Sequence, residues 1–381
     1  MIPDTRFAYA PLESRRFQLN AYRGFLKSMD ADAILAAVLK HEIDLLIIRL
    51  PAEKQCEIAV LNELGMPFII ADTLVWYHAD ISGIQPKPYR NPDLSFIEYT
   101  SDHFELSDRM VQEIFTGYWN NYSANPLLEA DLVEIYRDWT RSYATDRARG
   151  KFSWLVGRGD DLLGLITCLV QQNELEVVLN GVLPREARKG VYGDMIRFIQ
   201  GFCLTHRIAR IRISTQANNY AVQKVWGREG FHLKNAFVTI HVNSMMKASR
   251  IPGKSWRVRI APYGSPESFD MAGIATAEKG KMTMGRQALL GWITTGAAPV
   301  FVPREGATLL KNAVRYVKPL KPGMDYRVDI NHPYVNPAAG AYTTVLKVYD
   351  ETGDICLFAY YDFREQTQPG KTVCGPTELY P

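Results

Sequence analysis

The stretch LPREARKGVYGD, Leu183 to Asp194, places Gly190 and Gly193 among Arg185, Arg188 and Lys189, between an apolar run and the start of an amphipathic one. A helix start offers unpaired N–H groups and a positive dipole end, and glycine lets backbone approach an anion closely. Holding a phosphate is chemistry that such a turn can do. An ordinary strand–turn–helix with a solvated basic rim has the same pattern, so the loop alone does not decide. Upstream, ELEVVLNGV alternates so that Glu174, Glu176, Val178 and Asn180 fall on one face of a strand. A carboxylate there could take a proton from an attacking amine, directly or through water, with Glu176 the first choice. A solvated strand carboxylate fits equally. In FTGYWNNYSANP, Phe115 to Pro126, the aromatics Tyr118, Trp119 and Tyr122 could stack on a base, while Asn120 and Asn121 pair with hydroxyls or phosphate. Helical packing accounts for those aromatics as well.

These residues need elements to position them. The chain has 381 residues, too many for one ordinary domain. Residues 1–98 alternate strand and helix: FQLNAY as a strand, DADAILAAVLKHE as a helix with Asp30 as N-cap, IDLLIIRLP as a buried strand stopped by Pro51, EKQCEIAVLNELG as a helix closed by Gly65, and PFIIADTLVWYH as a third strand. The Pro- and Gly-rich DISGIQPKPYRNPDLS reads as a linker. Residues 99–245 read as two helices, three strands joined by tight turns, a helix after the glycine turn, the strand ARIRIST, a short helix and a last strand. After a polar, basic linker, NSMMKASRIPGKS, residues 246–381 read as one apolar helix over Met282–Phe301 followed by four strands. The fold class expected is α+β: a small N-terminal α/β lobe, a domain with a mixed, mostly antiparallel sheet, and a C-terminal hotdog-like domain of one helix wrapped by a sheet.

Composition is that of a globular protein, with 47% hydrophobic and 22% charged residues. A net charge of +3 with dispersed lysines and arginines disfavours nucleic acid as the main ligand. The opening residues carry no apolar core of signal-peptide length, and the run Ala288–Val302 is broken by Gly, Thr and Pro, so a cytoplasmic protein without a membrane span is expected. Five dispersed cysteines without a CxxC read as reduced thiols, and no metal site is expected.

Antiparallel strands, a phosphate-type turn, a helix, a strand and then N-x-x-V-x-x-x-W-x-x-x-G-F, Asn219, Val222, Trp226, Gly230 and Phe231, together resemble the GNAT acyltransferase superfamily over residues 99–245. With the preceding lobe, the chain resembles bacterial nucleotide-sugar N-acyltransferases: acetyltransferases for dTDP-4-amino-4,6-dideoxygalactose and, given the C-terminal domain, 3-hydroxybutanoyltransferases for dTDP-3-amino-3,6-dideoxyhexoses. The resemblance implies acyl-CoA as co-substrate with no tightly bound cofactor. It implies a nucleotide-linked amino sugar as acceptor, for surface polysaccharide. It places the coenzyme pyrophosphate on Ala187–Tyr192, with Arg188, Lys189, Gly190, Val191 and Gly193 as binding residues. Pantetheine would pair with the strand ending at Val182 and Leu183, and Asn219 would lie beside the coenzyme arm. Asn180, Tyr118, Trp119, Asn121 and Tyr122 would face the acceptor. Ala187 and Tyr192 depart from the family's pattern, which has Arg or Gln and then Gly or Ala there.

Trp226 stands where many relatives carry a tyrosine that protonates the leaving thiolate. Indole is a donor but no useful acid. A thiolate with an ordinary thiol pKa of about 8.5 leaves readily, and loss of a general acid costs roughly 10²–10⁴-fold. Water, Tyr192 or Tyr220 could supply the proton instead; Trp226 as a core aromatic is the plain alternative. Between Met282 and Arg304 there is no acidic residue and no histidine, so the third segment is expected to pair subunits into a homodimer or shape the acyl pocket. Two rival functions remain: a hotdog acyl-CoA thioesterase, and a non-catalytic acyl-CoA-binding scaffold.

Overall fold

The computed structural model describes residues 6–85, 87–128, 131–145, 150–249, 251–260, 281–284, 307–336 and 341–365. In chain order the elements are β1 (Ala8–Tyr9), α1 (Pro11–Phe17), β2 (Ala21–Phe25), α2 (Ala31–His41), β3 (Leu45–Pro51), a 3-10 stretch (Ala52–Leu64), β4 (Phe68–Asp80) and β5 (Ser95–Glu98). Then come α3 (Phe104–Phe115), α4 (Leu132–Thr145), β6 (Lys151–Arg158), β7 (Asp161–Gln171), β8 (Glu174–Val182), α5 (Val191–Thr205), β9 (Arg210–Gln216), α6 (Tyr220–Arg228) and β10 (His232–Val242). The C-terminal strands are β11 (Ile251–Ile260), β12 (Lys281–Met284), β13 (Ala307–Tyr316), β14 (Asp325–Asn336), β15 (Ala341–Tyr349) and β16 (Ile355–Glu365).

The architecture is mixed α and β, in two compact units that interleave in sequence. One comprises Met1–Ile48, Cys56–Ile69 and His241–Pro381; the other comprises Arg49–Gln55 and Ile70–Ile240. The serial reading with boundaries at 98 and 245 describes the order of patterns along the chain, whereas packing gathers both ends of the chain into one unit.

In the first unit, Asp30 caps α2 through its carboxylate, which accepts from the Ala33 amide at 3.0 Å, as an N-cap aspartate should. FQLNAY is not one strand: Phe17 closes α1, and Gln18, at φ 52°, turns the chain into β2. The expected linker after β10 is pinned. Asp44 accepts from the amides of Lys247 and Ala248 at 2.6 and 2.9 Å, the Tyr360 hydroxyl donates to the Ser244 carbonyl at 2.5 Å, and Met245 and Met246 are buried. The second half of that stretch is already β11. The C-terminal strands form a six-stranded sheet in the order β12-β11-β14-β15-β16-β13. Its core holds Val328, Ile330, Val348, Leu357 and Tyr361. The apolar helix expected over Met282–Phe301 lies outside the described residues except at its first three positions, which belong to strand β12. A six-stranded sheet is thus what is described of the segment expected to be hotdog-like.

In the second unit the strand order is β10-β4-β9-β8-β7-β6-β5. Pairing is antiparallel between β4 and β9, β7 and β8, β6 and β7, and β5 and β6, and parallel between β8 and β9. Strand β4, from the lobe that precedes the helices, lies between β9 and β10. Helices α5 and α6 cover one face of the sheet around Val177, Ile211 and Ile213, and α3 and α4 the other around Leu155, Leu165 and Leu179.

Candidate active site

Strands β8 and β9 pair from Glu174–Arg210 to Val177–Ile213 and then part, although β8 continues to Val182 and β9 to Gln216. At the point of parting β8 carries a bulge. Cys168 faces Val177 and Thr167 faces Leu179, so Val178 is an extra residue in the ladder. The Thr167 hydroxyl compensates: it donates to the Leu179 carbonyl at 3.2 Å and accepts from the Leu179 amide at 3.1 Å.

The bulge corrects the expected alternation along β8. Leu175 and Val177 pack among the α5/α6-side residues, but Leu179 and Leu183 pack on the α3/α4 side. A Cβ on Gly181 would strike Ile114 of α3 at 2.6 Å. Asn180 therefore lies with Val177, Tyr192 and Met195 on the α5 side, across the sheet from Glu176, because one extra residue inverts every position after it. Glu176 itself is engaged: the Arg212 guanidinium donates to it at 2.6 and 3.2 Å, also pairs with Glu174 at 3.2 Å, and lies over the Trp76 ring.

The glycine turn comes where it was expected. Gly190, at φ 93°, caps α5, and Arg188 is also left-handed at φ 66°. A Cβ on Gly190 would come within 2.6 Å of Arg90 Cδ, so only glycine lets the 87–93 segment lie across the helix start. That segment is fastened there by Asp194, wholly buried, whose carboxylate accepts from the amides of Arg90 and Asn91 at 2.8 and 2.9 Å and from Arg197 at 3.0 Å. Arg197 in turn reaches Glu229 at 2.9 Å. The linker expected over residues 80–95 begins instead as a short 3-10 turn, Ile81–Gly83, with Ile81 buried, and 87–93 is a tethered strap. Lys189 pairs with Glu186 at 3.1 Å. Val182, Leu183, Val191 and Gly193 lie along this same strand–turn–helix.

Tyr192 and Trp226 meet. The indole Nε1 of Trp226 donates to the Tyr192 hydroxyl at 3.0 Å, and the Tyr77 ring packs edge-on against Trp226 at 5.3 Å. Burial drives the Tyr192 phenol well above its ordinary pKa, so it stays a neutral hydroxyl. Tyr220 is exposed at 66% and lies at the helix start, away from Trp226 by more than a turn. Asn219 precedes α6 and donates to the Thr215 hydroxyl at 3.0 Å.

On the α3/α4 side, the Tyr118 hydroxyl donates to Gln216 Oε1 at 2.5 Å, joining the aromatic loop to the end of β9. Tyr118 stacks edge-on with Phe115 and Tyr136. Asn120 is structural: it donates to the Tyr136 hydroxyl at 2.9 Å and accepts from the Tyr122 and Ser123 amides. Trp119 is exposed at 45%, and Asn121 has a buried side-chain oxygen without a hydrogen bond among the described residues. Tyr118 is brought against the core strands by this hydrogen bond. Sequence reasoning missed Asp72. It is 7% exposed, on β4, with Oδ2 3.5 Å from Gln216 Nε2 and Oδ1 without a hydrogen bond among the described residues. Burial raises its pKa; the Thr239 hydroxyl, Arg49 and Gln216 pull the other way. A charged residue in the middle of an otherwise mostly apolar stretch, PFIIADTLVW, was the available signal. Among the described residues no group of ligands could hold a metal, and no helix is long and apolar enough to cross a membrane.

No family model matches the sequence, and no curated protein matches it. Solved structures do. A functionally unknown conserved protein from Staphylococcus epidermidis is 13% identical, with a TM-score of 0.47 over 64% of this chain and 93% of that one. A GCN5-related N-acetyltransferase from Sphaerobacter thermophilus is 12% identical, with a TM-score of 0.41 over 53% and 60%. One from Kribbella flavida is 11% identical, with a TM-score of 0.40 over 58% and 80%. At these scores the likeness carries no weight beyond what the strand order and the parting of β8 and β9 show by themselves.

Proposed function

We propose that the second unit is an acyl-CoA-dependent N-acyltransferase. The observation that carries this is the parting of β8 and β9 beyond Val177 and Ile213, at a bulge, beside a glycine-capped helix. Two diverging parallel strands leave backbone donors and acceptors on facing edges without a ladder partner, and such groups must be satisfied. An extended amide-bearing chain such as pantetheine satisfies them, while Arg90, on the strap that lies across the start of α5, and Arg188 and Lys189, in the turn before it, supply cations for the pyrophosphate. Val182, Leu183, Val191, Gly193 and Asn219 line that path in this reading.

The chemistry is direct attack. An acceptor amine, deprotonated, adds to the thioester carbonyl; a backbone N–H of β8 near Val178 receives the oxyanion; the C–S bond breaks and the thiolate leaves with a proton from the amine nitrogen. Trp226 is no acid, and burial makes the Tyr192 phenol reluctant to give up its proton, so the reaction runs on the thiolate's own leaving ability. Arg212 already occupies the Glu176 carboxylate, so Glu176 is not placed to receive the amine's proton.

For the acceptor, the resemblance supports the amine of a dTDP-linked amino-dideoxyhexose, and for the acyl group acetyl or 3-hydroxybutanoyl. Tyr118, Trp119, Asn121 and Tyr122 then belong to the acceptor side. The C-terminal sheet pairs two copies in the same reading. The test is calorimetry with acetyl-CoA followed by mass-spectrometric screening of acyl-CoAs against dTDP- and UDP-amino sugars. Acetyl-CoA binding and an acylated sugar are expected; a chain that binds no acyl-CoA ends the proposal.

The Tyr192–Trp226 hydrogen bond favours a second reading, a non-catalytic acyl-CoA-binding protein, because both rings lie where relatives keep a small residue and an acid. Acetyl-CoA binding without acylation of any amine, and without release of free CoA, would select it.

A further inference from the structure

The acceptor side of the sheet holds a buried carboxylate with an unused oxygen. Asp72 lies on β4, in register two residues beyond the Leu74–Gln216 pair, on the face that carries Gln216 and Trp76. Its Oδ1 has no hydrogen bond among the described residues, and neither has the Trp76 indole N–H on the same face. Buried polar atoms are almost always partnered, so the orphaned Asp72 oxygen, with the Trp76 indole four residues along the same face, marks a place where something polar is received. On β8, the carboxylates of Glu174 and Glu176 on this face are both paired with Arg212.

Resting on the acyl-transfer reading above, we propose that Asp72 receives the ammonium group of the acceptor from the α3/α4 side and takes its proton, so that the acceptor is a primary amine that arrives as a cation. The step balances simply. The carboxylate of Asp72 accepts one proton from R–NH3+, giving R–NH2; the nitrogen lone pair forms the C–N bond as the C–S pair departs with sulfur. The second nitrogen proton goes to the thiolate, and Asp72 returns its proton to solvent. Gln216 ties the site to the loop, since it contacts Asp72 through Nε2 and accepts from Tyr118 through Oε1.

The groups that face Asp72 are Arg49 from β3, Gln216 from β9, Thr239 from β10, and Tyr118 and Tyr136 from the α3–α4 region. Arg49 is the one cation among them, and burial outweighs it. A base whose proton affinity exceeds that of an exposed aspartate is better matched to deprotonating an amine near neutral pH.

The experiment uses the full chain with acetyl-CoA and the amino sugar that turns over in the screen. It compares wild type with Asp72→Asn, an isosteric change that leaves a neutral group in a site that already favours one. Calorimetry reads acetyl-CoA affinity in both, and kcat/KM for the amine is followed from pH 5 to 9. Expected are unchanged acetyl-CoA binding, a fall in kcat/KM of about 10²–10⁴-fold, and loss of the acid limb seen in wild type. An Asp72→Asn protein with wild-type kcat/KM, or a wild-type profile with no acid limb, overturns the assignment and leaves the transferase reading standing. Failure of wild type to bind acetyl-CoA, or to acylate any amine while binding it, overturns both.

Discussion

Trp226 donates its indole N–H to the hydroxyl of Tyr192 at 3.0 Å, tying α6 to α5 over the place where β8 and β9 separate. Two departures from the expected motifs, a ring in place of a small residue and an indole in place of a phenol, are thus one paired feature. Each explains the other: a buried indole N–H needs an acceptor, and the phenol provides it.

Removing that acceptor has a defined cost. Tyr192→Phe leaves the Trp226 N–H buried without a partner and should lower unfolding free energy by about 1–3 kcal/mol. Urea denaturation followed by tryptophan fluorescence reads it. A double variant that also carries Trp226→Phe should recover part of the loss.

The bulge is held by one hydroxyl. Thr167→Val keeps the shape but strips both hydrogen bonds to Leu179, so a loss of about 1–3 kcal/mol is expected, together with weaker acyl-CoA binding because the separation of β8 from β9 begins there. Calorimetric affinity unchanged by this substitution would detach the bulge from the ligand site.

The strap over α5 depends on Asp194. Asp194→Ala strands the amides of Arg90 and Asn91 and leaves Arg197 with Glu229 and the Pro88 carbonyl. Breaking a buried pair of this kind costs about 3–5 kcal/mol. Thermal unfolding should show it as a large fall in Tm, and protease nicking within 87–93 should accelerate.

Asp72 also predicts a pH dependence of stability. Its carboxyl titrates above the ordinary value of 3.8, because burial penalises the charged form. From 3.8 up to the raised value the folded chain holds more protons than the unfolded chain. Its contribution is therefore complete below pH 3.8 and is lost as pH rises through the folded value. Asp72→Asn lacks that loss, so its stability relative to wild type should increase from acid to neutral pH. Urea titrations of both proteins at matched pH values check the sign.

Most strands and helices could be read in the sequence because their patterns are clean: β6 and β7 are apolar runs bounded by tight turns, β9 alternates, and α2 announces itself through Asp30. FQLNAY misled because its apolar spacing suits either element, and the left-handed Gln18 that divides it leaves no mark in residue type. The glycine turn, Asn219 and Trp226 were legible as spacings. Three things were not. The bulge at Val178 reverses the faces of β8, and a period-two count cannot register an inserted residue. The strap of 87–93 looks like any Pro-rich linker until Asp194 is found beneath it. Asp72 is distant from every motif residue in sequence, and only the pairing of β4 with β9 brings it to Gln216.

Strand β4 is complete by Asp80, yet its two neighbours in the sheet, β9 and β10, begin at Arg210 and His232. During synthesis at about 5–20 residues per second the finished strand waits on the order of ten seconds for either edge partner. Throughout that interval it presents FIIADTLVW to any unpaired strand nearby, including a copy on the next ribosome. A charge in the middle of that run, Asp72, disfavours pairing of the segment with a copy of itself. A fragment cut at residue 99 would lack that strand altogether and leave a gap through the centre of the sheet.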